Sequence, residues 1–270
     1  MNRYQTIQIT REEESIIVIT FNRPERKNAW NSAMYAECAE VLEMVGEQDD
    51  VLAVVLYGGD CDYFSSGADL DEAISMSDDI TIDEFSTQKL AVFRFMKALL
   101  HCPKLVVSAV SGHAIGIGVT ILTHCDLVFV RGGDTMMYVP FFELSLVPEY
   151  CSSLVFPELM GQARANDMLL LGKRVLAEEA LSLGLVSRVL GATSPSAFLQ
   201  SVLLLLSPVV HMANAAKSLQ IFKSLMRGSR KQVLHERMLE ELDILDERFR
   251  QGEPLTAMMD IMTKKKRSKL

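Results

Sequence analysis

Two short glycine-bearing runs stand out as places where the backbone itself could do chemistry. The first is Phe64-Ser65-Ser66-Gly67-Ala68-Asp69-Leu70, and the second is Ser111-Gly112-His113-Ala114-Ile115-Gly116-Ile117-Gly118. Each follows an apolar run and leads into a helical pattern. Each therefore sets peptide N–H groups at a helix start, where four such donors lack intrahelical partners. Two such groups aimed at one point would make an oxyanion hole, and losing one donor typically costs about 3–4 kcal/mol of barrier lowering. Taken alone, glycines after strands more often serve plain turns. The second run has its glycines at 112, 116 and 118, which is not the GxGxxG spacing of a dinucleotide site. His124 and Asp126 flank Cys125 without a third ligand, so no metal site is expected. His113 reads as a satisfied loop histidine, Glu143 as structural and Glu158 as surface. Glu149, in VPEYCSS, reads on its own as an acid before a helix N-terminus, favoured by the helix dipole by about 0.3–1 kcal/mol.

The elements that carry these runs follow from hydrophobic patterning. Residues 5–10 and 15–21 flank Glu12, Glu13 and Glu14 and read as a hairpin. Asn31 or Ser32 caps a helix to about Glu47. Buried strands are predicted at 51–58, 105–110 and 126–130, with helices from about Leu70, over 82–101 and near 117–124. A recurring strand–loop–helix unit of this kind points to parallel strands joined by helical crossovers. Beyond residue 150 the chain reads as almost all helical, and from Ser196 onward its one clear break is at Gly228–Ser229. The fold class is α/β, with a core over residues 1–195 and a helical region over 196–270.

Bulk properties narrow the function. Apolar residues make up 49% and charged residues 23% of the 270, so a packed core is expected rather than disorder. The net charge of -8 disfavours nucleic acid as a partner. No apolar stretch is long enough for a membrane span, and the acidic N-terminal residues do not suit a signal or transit peptide. Five cysteines without CxxC spacing suit free thiols in a reducing compartment. The chain ends in Ser268-Lys269-Leu270, the tripeptide read by the peroxisomal import receptor. The matrix of a peroxisome or a related organelle such as the glycosome is the expected location.

Five motifs in order are specific: FNRPERKNAWN, FSSGADL, AVSGHAIGIGV with HCDLVFV, PFFELSLVPEYCSSLVFPELMG, and GKRVLAEEALSLGLVSRV. Over roughly residues 5–190 the chain resembles the crotonase (enoyl-CoA hydratase/isomerase) superfamily, and most of all its peroxisomal Δ3,Δ2-enoyl-CoA isomerases. The resemblance implies a spiral of ββα units and a C-terminal helical region that serves trimerisation and part of the active-site cover. It also implies a homotrimer acting on acyl-CoA, with no cofactor beyond the coenzyme A of the substrate. By motif position the oxyanion donors are Ala68 and Ile117, the latter where the family commonly has glycine. Substrate contacts are implied at Ser65, Ser66, Gly67, Asp69, Leu70 and Gly116, with Ser66 and Leu70 near the adenine. Lys27 or Arg26 would face the phosphates.

Departures from the family pattern sharpen this expectation. Crotonase-type hydratases position water with two glutamates, and the matching positions here hold Thr120 and Phe141. Hydration should be weak or missing. The resembling isomerases carry a catalytic glutamate at the position of Glu149. Its neighbours Leu146, Val147, Tyr150 and Cys151 form an apolar setting that would raise its pKa. Dienoyl-CoA isomerisation, weak hydration, or a silent acyl-CoA-binding relative are the alternatives.

Overall fold

The computed structural model describes residues 3–79 and 82–267. The chain opens with β1 (Ile7–Glu12) antiparallel to β2 (Ile16–Phe21), with Ile7 opposite Phe21 and Glu12 opposite Ile16. A 3-10 turn at Pro24–Arg26 leads to α1 (Ser32–Gly46). The Asn31 side chain accepts the Met34 N–H at 3.0 Å, as an N-cap should. Next come β3 (Ala53–Tyr57), β4 (Tyr63–Ser65), α2 (Leu70–Asp79) and α3 (Ile82–His101). They are followed by β5 (Leu105–Val110), β6 (His113–Ile115) and α4 (Ile117–Thr120), which runs on into a 3-10 segment at Ile121–His124. Beyond these lie β7 (Leu127–Arg131), β8 (Met136–Tyr138), α5 (Ser152–Met160), α6 (Gln162–Leu169), β9 (Val175–Leu176), α7 (Ala177–Ser182) and β10 (Arg188–Leu190). The chain closes with α8 (Pro195–Val210), α9 (Ala215–Arg227), α10 (Lys231–Arg250) and α11 (Glu253–Arg267).

Two sheets result. The larger has the order β1-β2-β3-β5-β7-β10, parallel from β2 onward. The smaller has the order β4-β6-β8-β9, with β9 antiparallel to β8. Successive units place one strand in each sheet: β3 then β4, β5 then β6, β7 then β8. This is the expected spiral. Strands β3 and β5 are buried at every position, which is why they read as continuous apolar runs. Their alternation still shows in the packing. Val54, Leu56, Val106 and Val110 join the core shared with α1 and α3. Ala53, Val55, Tyr57, Val107 and Ala109 face the other way, toward Phe198, Val202 and Leu206 of α8.

Two expectations need correction. The chain beyond 150 is mostly helical as expected, but two short strands, β9 and β10, also lie there. β10 pairs Arg188–Leu190 with Phe129–Arg131 and forms one edge of the larger sheet. Strands of two and three residues are too short to set up an alternation, so they escape pattern reading. The C-terminal helices also break at residues 211–214 and 251–252, besides the 3-10 turn at Gly228–Arg230. Among the described residues, no single helix is long and apolar enough to cross a membrane.

Candidate active site

The two glycine runs meet because β4 and β6 are parallel neighbours, with Tyr63 opposite His113 and Ser65 opposite Ala114. Both runs therefore leave the same edge of the smaller sheet. Their contact depends on glycine. A Cβ on Gly67 (φ 98°) would sit 3.4 Å from the Ile115 oxygen, and one on Gly116 (φ 54°) 3.6 Å from Gly67 Cα. At Gly118 a Cβ would fall 2.9 Å from Ser65 Cβ, closer than real side chains approach.

Backbone accounting then isolates two donors. Around the first run, Ser66 N–H donates to Lys27 O (3.0 Å), Gly67 N–H to Ser65 Oγ (3.1 Å) and Asp69 N–H to Trp30 O (2.9 Å). Trp30 N–H in turn donates to Gly67 O (2.9 Å). Ala68, bridged to Trp30 and exposed, has no acceptor for its N–H among the described residues. Around the second run, Gly116 N–H donates to Tyr138 O (2.8 Å), and Val119 and Thr120 N–H both donate to Gly116 O. The Ile117 N–H is likewise left without an acceptor among the described residues. Buried amides are nearly always paired, so the free N–H of buried Ile117, on a loop touching the one that carries the free Ala68 N–H, marks a place for an incoming acceptor.

The other residues expected around these loops are placed as follows. Ser65 is fully buried and serves the loop through its hydroxyl. Ser66 donates its hydroxyl to Arg26 O at 3.3 Å, and Leu70 begins α2. Asp69 is expected to touch substrate, but its buried carboxylate is already engaged, by Arg23 at 2.8 Å and Arg26 at 3.0 Å. Burial pushes this carboxyl up, and the two guanidiniums outweigh it and hold it below the ordinary range. Arg26 also binds Asp71. Lys27 is exposed, with its ammonium 4.8 Å from the centre of the Tyr63 ring.

Glu149 lies on a turn held from several sides. Tyr150 and Cys151 have φ of 53° and 61°, a left-handed conformation costly for side chains of this size. Glu241 of α10 accepts the Cys151 N–H at 2.7 Å, and the Ser153 N–H at 3.1 Å and hydroxyl at 2.5 Å. His124 Nε2 meets Tyr150 O at 2.6 Å. Burial drives the His124 pKa down to about 4, so the neutral ring donates Nε2–H. Cys151 donates its thiol to Leu234 O at 3.1 Å. The Glu149 side chain is half-buried, and no donor among the described residues reaches its carboxyl. Desolvation first, and the nearby Glu241 second, push its pKa up to about 8.

An aromatic group joins this turn to the loops. Trp30, whose backbone brackets Ala68, packs its ring 5.1 Å from Tyr35 and 4.8 Å from Phe95, and Phe95 lies 6.2 Å from Tyr150. Burial, and then Glu149 among nearby charges, raises the Tyr35 phenol. His124 closes the assembly, since it belongs to the segment that continues from Ile117. A half-buried carboxyl that titrates near neutrality, in the same assembly as two free N–H groups, can move a proton beside a carbonyl whose oxygen those groups hold.

The remaining sequence candidates are occupied elsewhere. Thr120 and Phe141 are buried and supply no carboxylate, and the Thr120 hydroxyl points to Ile117 O at 3.5 Å. His113 Nδ1 accepts the Met136 N–H at 3.2 Å. Asp126 is tied to Lys223 at 2.7 Å and Arg227 at 3.3 Å. Glu158 pairs with Arg230. A cavity of about 170 Å³ lined by Phe141, Leu146, Pro148, Ser153 and Leu169 adjoins the Glu149 turn but includes neither free N–H. Sequence reading passed over Glu241. It is one of several acids on a polar helix, far along the chain, and nothing local distinguishes it.

The family model described as enoyl-CoA hydratase/isomerase matches residues 11–266. The mouse protein "Enoyl-CoA delta isomerase 3, peroxisomal" is 35% identical over 96% of this chain and 78% of its own length. Human "Enoyl-CoA delta isomerase 2" is 32% identical over 97% of this chain, which spans 64% of that protein. The rat protein of the same name is 36% identical, and the chain spans 62% of it. Among solved structures, the Pseudomonas aeruginosa OdaA protein superposes with a TM-score of 0.85 at 33% identity, covering 96% of this chain and 99% of its own. An enoyl-CoA hydratase/isomerase from Pseudoalteromonas atlantica gives 0.84 at 34% identity over 96% and 98% of the two chains.

Proposed function

Because the chain belongs to the enoyl-CoA hydratase/isomerase family, we propose that this crotonase-type enzyme is a Δ3,Δ2-enoyl-CoA isomerase with Glu149 as its single acid/base. One observation carries the reading: the unbonded Glu149 carboxyl, with its pKa near 8, shares an assembly with the free Ala68 and Ile117 N–H groups. The ionised carboxyl takes a proton from C2 of a 3-enoyl thioester. The negative charge of the resulting dienolate gathers on the thioester oxygen, where two fixed donors stabilise it more than the neutral carbonyl. The same carboxyl, now protonated, returns the proton to C4, and the double bond moves to C2. No water is consumed, so the missing carboxylates at Thr120 and Phe141 cost this reaction nothing. Coenzyme A enters as part of the substrate, with Ser66, Leu70 and Lys27 beside it.

The test is purified protein with trans-3-hexenoyl-CoA, following the conjugated 2-enoyl product. Wild type should turn over, Glu149→Gln should lose at least about 10³-fold in kcat, and crotonyl-CoA should be hydrated negligibly. An inactive wild type overturns the activity, and an undiminished variant overturns the site. The reading extends to a homotrimer in the matrix of a peroxisome-type organelle. The name of the mouse relative supports that location, as does the C-terminal Ser-Lys-Leu, which lies outside the described residues. A fluorescent fusion that enters the organelle equally well without residues 268–270 would refute the targeting role.

A further inference from the structure

The acid/base turn is anchored from a distant part of the chain. Glu241 lies 90 residues from Cys151, on α10, and only 6% of it is exposed. Its two carboxylate oxygens are divided over the turn. One takes the Cys151 N–H, and the other takes the Ser153 N–H and hydroxyl. These are orphan donors at the start of α5, which lacks a cap from its own residues. Helix N-termini are ordinarily capped by a side chain close in sequence, so a buried carboxylate brought from another helix is a costly solution. It comes with two consecutive left-handed residues, Tyr150 and Cys151. Strain of this kind persists only where the surroundings over-determine it.

We propose that Glu241 is a positioning residue for Glu149: it holds the Tyr150–Ser153 turn in its left-handed form and sets a second negative charge against the Glu149 carboxyl. The inference rests on the reading of Glu149 as the acid/base. An ordinary neutral cap, such as serine, would satisfy the same amides. A carboxylate does more, because like charges close together disfavour ionisation of the second group.

The groups facing the pair can be named. Glu149 is faced by Glu241 from α10, Tyr35 from α1 and Tyr150 of its own turn. Glu241 is faced by Arg237 on its own helix and by Ser153 and Cys151 of the turn. Arg230 and Arg237 stand near Cys151. Burial raises the Glu241 carboxyl above its ordinary range, while the bonds from Ser153 and Cys151 and the nearby Arg237 oppose that rise and favour the ionised form in which it acts as the second charge.

The experiment is a carbon-13 NMR titration of the glutamate carboxyls, with the Glu149 signal assigned by its loss in Glu149→Gln. Wild type, Glu241→Gln and Glu241→Asp are compared. The amide of Glu241→Gln keeps an acceptor oxygen but removes the charge, and the Glu149 midpoint should fall by about one pH unit, a tenfold change in its ionised fraction at a fixed pH. Glu241→Asp keeps the charge on a shorter stem. Its Glu149 midpoint should stay near the wild-type value while kcat on 3-hexenoyl-CoA falls about tenfold or more with KM little changed. An unmoved midpoint in a folded Glu241→Gln protein overturns the proposal. Should the variants not fold, wild type alone decides. The Glu241 signal must respond at the Glu149 midpoint as coupled sites do, and two independent titrations would overturn the proposal. The titration needs no turnover, so it stands apart from failure of the isomerase reading, which the 3-hexenoyl-CoA assay reports.

Discussion

With its pKa at about 8, Glu149 is mostly protonated at pH 7 in the unliganded protein. Abstraction at C2 needs the ionised minority. The expected outcome is a kcat/KM that rises about tenfold per pH unit below 8 and levels off above it, since this parameter reports the free enzyme. A flat profile between pH 6 and 9 would remove Glu149 from that role. The same shift carries a stability consequence. A carboxyl whose folded pKa exceeds its unfolded value favours the folded state below the unfolded pKa and loses that contribution as pH rises through the folded value. Between about pH 4.5 and 8 the wild-type protein should therefore lose stability that Glu149→Gln keeps. Urea unfolding should find the variant on the order of 1–3 kcal/mol more stable at pH 9, an allowance reduced for the open side of the residue, and the gap should close near pH 4. Equal gaps at both pH values would contradict the shift. Glu149 was legible in the sequence through its motif and apolar neighbours. Glu241 was not, because its role exists only once α10 folds back onto the start of α5.

At the scale of elements, the site is a junction between strands rather than a pair of loops. The longer strands announced themselves as apolar runs ended by glycine or proline. The smaller sheet did not: β4, β6 and β8 have three residues each and β9 has two. Yet the pairing of β4 with β6 is what puts Ala68 beside Ile117. Gly118 carries the close approach of α4 to β4, because a Cβ there would fall 2.9 Å from Ser65 Cβ rather than meet the end of a flexible side chain. Gly118→Ala should push α4 off β4, cost about 1–3 kcal/mol of stability, and lower kcat by as much as 10²-fold through misplacement of the Ile117 N–H. Gly191→Ala, where a Cβ meets nothing within 4 Å and φ is not positive, is the matched control and should change neither. Thermal unfolding with kinetics on both variants checks this, and a fully active Gly118→Ala would show that the approach of α4 to β4 does not set the site.

For the whole molecule, the distribution of apolar surface bears on assembly. Among the residues of α9 only Ala215 is buried, while Phe222, Leu225 and Met226 are 64%, 79% and 74% exposed. The helix is nevertheless fixed in place. Lys223 reaches Cys102 O at 3.0 Å and Asp126 at 2.7 Å, and Arg227 reaches His124 O at 2.8 Å. A helix pinned by half-buried cations, with large apolar side chains outward, presents an ordered apolar face, and contiguous faces of that kind mark interaction sites. The proposed trimer supplies a partner for it, since burying such surface is favourable by about 25 cal/mol per Å². Light scattering after size exclusion should therefore give about three times the 30.1 kDa chain mass. Leu225→Glu places a charge on the most exposed of these side chains, where the isolated fold loses little, so it should yield smaller species with unchanged helical circular dichroism. His124, which holds the Glu149 turn, is tied to Arg227 at the end of the same helix, so dissociation should also lower kcat. A wild type that runs as a monomer at micromolar concentration with full activity would refute both the assembly and its link to the site.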